Sequence, residues 1–340
     1  CHLFTMFRGV TTFLWNPETR RLRLPWRLLA WLVVLVLLGV LTTTAVGVLS
    51  NRSIESLLTL LTPGRPSDQS IIAARNLLFV SSQLIVMVGS VYVAGRVVDR
   101  RWFRDFGFHL TRSWWIDLGF GLALGAVLMT AIFLVELAAG WVTVRDLFFI
   151  ARPDFAFWPW FLWAFVTFVT VGVYEELLFR GYLITNFAEG FTWFRQISGV
   201  TAVGLATLVT SVFFGVAHAG NPNATLVSVV GIVIAALMLA AGYVLTGELA
   251  IPIGLHTTWN FFQGTVYGFP VSGTNGGVSL IAVDQSGPQL ITGGAFGPEA
   301  GFLGIVASVV GLGLTVLWVQ WREGDIMFAP SLTTPELRHR

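Results

Sequence analysis

Eight stretches of this chain are apolar for long enough to cross the hydrocarbon core of a bilayer, which takes about 20 residues of helix. They fall at roughly 28–49, 76–95, 116–141, 157–179, 199–218, 224–246, 249–268 and 300–321. In lipid every backbone N–H and C=O must be satisfied inside the protein, so only helices and closed barrels span. Runs this long and continuous are not barrel strands. The expected fold is therefore all-α, a polytopic membrane bundle of about eight transmembrane helices. The first run does not read as a signal peptide: it is too long, and no short basic start or cleavage site accompanies it.

Composition agrees. Apolar residues make up 55% of the 340 and charged residues 11%, against roughly 25% charge in a soluble domain. That excludes a soluble globular protein and a disordered one. A net charge of +2 with scattered basic residues excludes a nucleic-acid partner; the expected partners are membrane lipid and a membrane-anchored protein or peptide. Cys1 is the single cysteine, so no disulfide framework or thiolate metal cage is expected. The chain begins at Cys1, which suggests either a fragment or translation from Met6.

All 20 basic residues are arginine. With eight spans, 15 of them lie on the side shared by both termini, among them Arg8, Arg20, Arg21, Arg23, Arg27, Arg96, Arg100, Arg101 and Arg104. The other five, Arg52, Arg65, Arg75, Arg145 and Arg152, lie opposite. Arginine-rich loops stay in the cytoplasm, so the expectation is a multi-pass cell-membrane protein with both termini cytoplasmic. Residues 50–75, with Pro63, Gly64 and Pro66, read as an external loop. The glycine-rich stretch 270–298 reads as a flexible external connection, or as a lid. Three parts are expected: an N-terminal membrane region of about three helices (1–150), a catalytic membrane domain (151–321) and a cytoplasmic tail (322–340).

Ionisable side chains are costly in lipid, so each one inside a span is a functional candidate. Asp117 and Glu136 lie near the edges of the third span and are expected at the interface. The later spans hold a denser set. In Tyr174-Glu175-Glu176-Leu177-Leu178-Phe179-Arg180-Gly181, Glu176 and Arg180 are i,i+4 and share a helix face. Glu175 lies about 100° round and is free to point into a cavity, where it can take and return a proton. In Phe213-Phe214-Gly215-Val216-Ala217-His218, Phe214 flanks His218 at the same spacing. In His256-Thr257-Thr258-Trp259-Asn260, His256 and Asn260 share a face, an arrangement in which both can donate to one developing oxyanion. A buried polar network that only fixes helix packing is the alternative for each. Together the residues can run water-mediated acyl hydrolysis.

This order of motifs, Glu175-Glu176-x-x-x-Arg180, Phe214-x-x-x-His218 and His256-x-x-x-Asn260, resembles the CPBP family, the CAAX proteases and bacteriocin-processing (Abi) enzymes related to the Rce1-type endopeptidase. The resemblance covers about residues 155–321, and Thr292-Gly293-Gly294-Ala295-Phe296-Gly297-Pro298-Glu299 is similar to some prokaryotic members. It implies an intramembrane endopeptidase with Glu175 as general base, His218 as its partner on the attacking water, and His256 and Asn260 at the oxyanion. Glu176, Arg180 and Phe214 would be supporting residues, with no cofactor. A zinc version, with Glu175, His218 and His256 as ligands, is the alternative; Asn is a poor zinc ligand and no His-Glu-x-x-His signature is present. A transporter or proton relay, or a bacteriocin-immunity factor, is the non-enzymatic alternative. Nothing in the residues indicates a prenylated substrate.

One distance does not close on these spans. Span four ends near 179, while His218 lies 19 residues into span five. Contact between Glu175 and His218 therefore requires span four to continue as helix toward Asn186, with span five beginning outside the lipid or tilting.

Overall fold

A computed structural model describes residues 13–61, 68–194 and 196–338. The positions Cys1, Met6, Arg8, Pro63, Gly64, Arg65, Pro66, Arg195 and Arg340 lie outside the described residues. The chain forms two compact units, one of residues 1–103 with 335–340 and one of residues 104–334.

The first unit is built on two long helices, α1 (Leu24–Leu61) and α2 (Asp68–Val97). The loop expected over 50–75 is thus helical up to Leu61 and again from Asp68. Leu32, Val36, Leu37, Val40 and Leu41 of α1 are all exposed, the outward apolar surface that lipid solvates. Asp99 is buried and takes Arg27 Nη1 at 3.3 Å, while Arg21 Nη1 donates to its backbone carbonyl at 3.1 Å.

The second unit contains α3 (Arg112–Ala138), strand β1 (Val142–Ile150), α4 (Phe157–Glu176), α5 (Thr185–Phe191), α6 (Gly199–Ala217), α7 (Leu226–Thr246), α8 (Ala250–Phe261), β2 (Val278–Gln285), a single helical turn at Gln289–Thr292, and α9 (Phe302–Glu323). Among the described residues seven helical segments are long and apolar enough to cross a membrane: Leu24–Val48, Gln69–Val97, Arg112–Ala138, Phe157–Phe191, Gly199–Ala217, Leu226–Thr246 and Phe302–Glu323. The expected span 249–268 is shorter than that. It is the 12-residue α8, continued by a π-helical turn at Phe262–Val266. Its side chains from Ala250 to Trp259 are all buried, so it is a core helix surrounded by protein.

Small residues let α8 in. A Cβ on Gly254 would lie 2.7 Å from the Leu122 backbone nitrogen, and one on Gly125 would lie 2.8 Å from that of Trp259. Such close backbone approach is what glycine provides at helix contacts in membranes. Thr258 Oγ1 donates to Leu122 O at 2.8 Å across the same seam. On the other side, Gly172 of α4 faces Thr257 Oγ1, which would be 2.7 Å from a Cβ there. The helix carrying His256 and Asn260 is thereby clasped between α3 and α4.

The span expected to end near 179 continues. A π-helical segment, Leu177–Ile184, joins α4 to α5 without a break, giving one apolar segment from Phe157 to Phe191. Glu175 is then 16 residues back from Phe191, and His218 is 19 residues on from Gly199. At about 1.5 Å per residue the two antiparallel paths return to the same depth within about 5 Å, which closes the distance that the shorter span left open.

The glycine-rich stretch is not a flexible connection. Its β2 strand pairs antiparallel with β1, from Val142 opposite Gln285 to Ile150 opposite Val278, with a bulge between Val144 and Asp146. Asp117 and Glu136, expected at the interface, are both buried. Asp117 accepts from Trp318 Nε1 at 2.9 Å and faces Arg322 Nε at 3.5 Å. Glu136 accepts from Gln285 Nε2 at 2.7 Å, which ties β2 to α3.

Candidate active site

Arg180 lies in the π-helical segment that follows α4, four residues on from Glu176 and on the same face. Such π turns commonly occur at functional sites. Arg180 Nη1 donates to Glu176 Oε1 at 2.9 Å, and both side chains are essentially without solvent. Arg180 Nη2 also donates to Ala236 O at 3.2 Å, and the guanidinium lies 4.5 Å from the Phe214 ring centroid. The cation is held by a carboxylate, a carbonyl and an aromatic face, which is how a buried charge is tolerated.

The same Glu176 oxygen takes a second donor. His256 Nδ1 lies 2.7 Å from Glu176 Oε1, which orients the ring and leaves Nε2 on the far side. Nε2 is 3.8 Å from Glu175 Oε2, within ion-pair reach and longer than a hydrogen bond. Glu175 keeps 20% of its side chain exposed, while Glu176 has none. Adjacent carboxylates therefore have different environments: one is locked by two cations or donors, the other faces open space.

His218 caps the C-terminus of α6. Its Nδ1 lies 2.7 Å from Phe214 O. A carbonyl only accepts, so Nδ1 carries the proton and Nε2 is left as an acceptor in the neutral ring. Phe214 packs on it, with ring centroids 4.6 Å apart, and also lies 6.2 Å from the His256 ring.

Glu175, His218, His256 and Asn260, drawn from α4, the end of α6 and α8, line a single cavity of about 210 Å³. Phe214 lines it too, and Glu176 and Arg180 stand behind the wall. Five further polar lining residues, Tyr174, Asn221, Ser272, Thr274 and Glu299, are not among the site candidates that the sequence singles out. Glu299 closes the quoted Thr292–Glu299 stretch, so a signal existed, but only the fold carries it to the cavity. Burial pushes its carboxyl up to about 7, against the opposing pull of hydrogen bonds from its own backbone, Ser272 and Gln263. Among the described residues no three His, Cys, Asp or Glu side chains are grouped as a metal-binding set.

Residues 157–262 match a family model described as type II CAAX prenyl endopeptidase Rce1-like. The matched segment contains Glu175, Glu176, Arg180, Phe214, His218, His256 and Asn260. The match supports the CPBP/CAAX protease family and, in general terms, a membrane-embedded CAAX-type endopeptidase. With the seven apolar helices it makes this a multi-pass membrane protein. No curated protein and no solved structure matches the chain.

Proposed function

From the premise that residues 157–262 belong to the Rce1-like CAAX endopeptidase family, we propose that this chain hydrolyses peptide bonds of membrane-anchored proteins or peptides by activating water without a metal. The observation that carries the proposal is the separation of the two glutamates. Arg180 and His256 both engage Glu176, so of this adjacent pair it is Glu175 that is left to act as a base in the cavity.

Charge balance assigns the remaining roles. Glu175 and Glu176 bring two negative charges and Arg180 one positive. A second proton on His256 completes neutrality, and it makes His256 Nε2 a donor. His256 and Asn260, one helical turn apart, then supply donors to the oxyanion that forms when water adds to the scissile carbonyl. Glu175 takes the proton from that water. His218, with Nδ1 committed to Phe214 O, presents Nε2 as acceptor and orients the water. Glu175 then returns its proton to the leaving amine. The aromatic walls limit solvent entry, which strengthens each of these interactions.

The test is cleavage of a panel of membrane-anchored peptides by purified protein in detergent. Wild type is compared with Glu175→Ala and His218→Ala, each with and without a chelator. The proposal expects cleavage by wild type that survives chelation and is lost in both variants. Activity that chelation abolishes and zinc restores refutes the metal-free scheme. Solute uptake into liposomes with no cleavage of any peptide favours a transporter instead.

A further inference from the structure

Besides Glu175, the cavity wall holds a second carboxylate, Glu299, which lies outside the matched segment 157–262. It sits on a 3₁₀ turn, Pro298–Ala300, and is 5% exposed. Both of its oxygens are used. Oε1 accepts from the Ser272 backbone N–H at 2.5 Å and from Ser272 Oγ at 3.2 Å, and Oε2 accepts from Gln263 Nε2. Gln263 is fully buried, three residues past Asn260 in the π-helical turn, and its Nε2 also donates to Pro270 O at 2.5 Å.

These partners share a location. Val271, Ser272 and Thr274 line the cavity, and the turn they form is closed by a backbone bridge between Val271 and Thr274. Asn221, itself on the cavity wall, donates from Nδ2 to Ser272 O at 3.0 Å. The Gly273 N–H donates to Phe296 O at 2.7 Å. Ser272 has φ +46°, a left-handed conformation that a residue with a Cβ adopts only when its surroundings enforce it. Burying a carboxylate is costly unless it is fully hydrogen-bonded, and a neutral carbonyl is sufficient to satisfy one backbone N–H. What a carboxylate adds is the ability to accept from both sides at once, from the turn and from the end of the Asn260 helix.

We propose that Glu299 is a positioning residue for the peptidase reaction: its carboxylate latches the 271–274 turn to the helix end that carries Asn260, and so sets the width of the cleft that receives the substrate. The latch follows from the geometry alone, while its effect on cleavage rests on the peptidase reading above.

The experiment separates the two. In a Cys1→Ser background, Val271→Cys places a single thiol on the buried cavity face of the turn. Its rate of reaction with a small thiol reagent, in detergent at pH 8, where the Glu299 carboxyl is ionised, reports whether the turn is held. Glu299→Gln sets an amide nitrogen against the Gln263 amide nitrogen and is expected to raise that rate at least tenfold. Gln263→Met releases the latch from the other side and is expected to do the same. The double exchange Gln263→Glu with Glu299→Gln restores donor to acceptor between the two side chains, leaves Pro270 O without its donor, and returns the rate at least halfway, on a logarithmic scale, to that of the starting protein. In cleavage assays without the reporter cysteine, Glu299→Gln and Gln263→Met raise KM at least fivefold and change kcat less than twofold. Glu175→Ala, in contrast, abolishes cleavage and leaves the thiol rate alone. A thiol rate unmoved by Glu299→Gln overturns the latch. A thiol rate that moves while KM stays at the wild-type value overturns the positioning role. Wild-type protein that cleaves no peptide fails the peptidase reading, and the thiol result still decides the latch.

Discussion

Removing the charge from Glu176 separates what holds this site together from what makes it react. One oxygen of Glu176 accepts from Arg180 at 2.9 Å and from His256 at 2.7 Å. In Glu176→Gln the shape is kept and both hydrogen bonds lose their charge assistance. Arg180, 2% exposed, is left with the Ala236 carbonyl and the Phe214 face. Leaving one member of a buried ion pair uncompensated costs about 3–5 kcal/mol, and the retained amide oxygen places this variant near the lower end, so the thermal midpoint in detergent falls by several degrees. The second loss is behind His256. A charge-assisted hydrogen bond contributes about 1.5–3 kcal/mol, and at about 1.4 kcal/mol per decade kcat/KM for a membrane-anchored peptide falls roughly 10- to 150-fold. The double variant Glu176→Gln with Arg180→Met removes both charges and recovers most of the stability, because the buried guanidinium is gone. It does not recover activity, because His256 still lacks its carboxylate. Recovery of kcat/KM together with the midpoint in the double variant refutes this reasoning and makes Glu176 a structural partner of Arg180 alone.

Two further outcomes are expected. Gly254→Ala drives a methyl into the backbone of α3, 2.7 Å from Leu122 N, and is expected to cost about 1–3 kcal/mol and to lower cleavage by displacing His256. Gly204→Ala, with nothing within 4 Å of its new carbon, is the control: it lowers neither the midpoint nor the rate, since alanine is the better helix former. The Glu299 carboxyl is raised from 4.5 to about 7, so between those values the folded protein keeps a proton that the unfolded chain has lost. Stability contributed by this group is therefore full below about pH 4.5 and declines as pH rises toward 7, by roughly 3 kcal/mol for the 2.5 units at about 1.4 kcal/mol each. Glu175, His218 and His256 line the same cavity and are unchanged in the variant, so the difference between wild type and Glu299→Gln isolates this group. Thermal midpoints measured from pH 4.5 to 8 are expected to fall less steeply in the variant; parallel curves contradict the assignment.

The catalytic candidates were legible because polar residues at i,i+4 stand out in apolar sequence. Spacing marks Glu175, His218, His256 and Asn260 as candidates, the family resemblance implies their roles, and the fold brings them to one cavity. Spacing also paired Glu176 with Arg180, but only as a local pair. That the same oxygen reaches His256, 80 residues away, is a property of how α4 and α8 pack. The length of the fourth span was hidden by its own chemistry. Glu175, Glu176, Arg180 and Asn186 depress hydropathy where the helix in fact continues; Arg180 pairs with Glu176, Asn186 Nδ2 donates to Tyr182 O, and Glu175 faces the cavity. The β1–β2 pair was hidden differently: Val278–Gln285 has strand-like composition, but the surrounding glycines read as a loop, and its partner strand is distant in sequence. Asp117 and Glu136 looked interfacial because they sit near helix ends, and the partners that keep them buried, Trp318 and Gln285, come from other elements.

The most direct test of the central claim is the single-turnover rate of peptide-bond cleavage by Glu175→Gln, measured beside wild type in the presence of a chelator. The glutamine preserves size and leaves the Glu176–Arg180–His256 cluster in place, so a folded protein with an unshifted thermal midpoint is expected, with cleavage reduced at least a thousandfold. Cleavage by Glu175→Gln within tenfold of wild type contradicts the account, because the water is then activated by some other group.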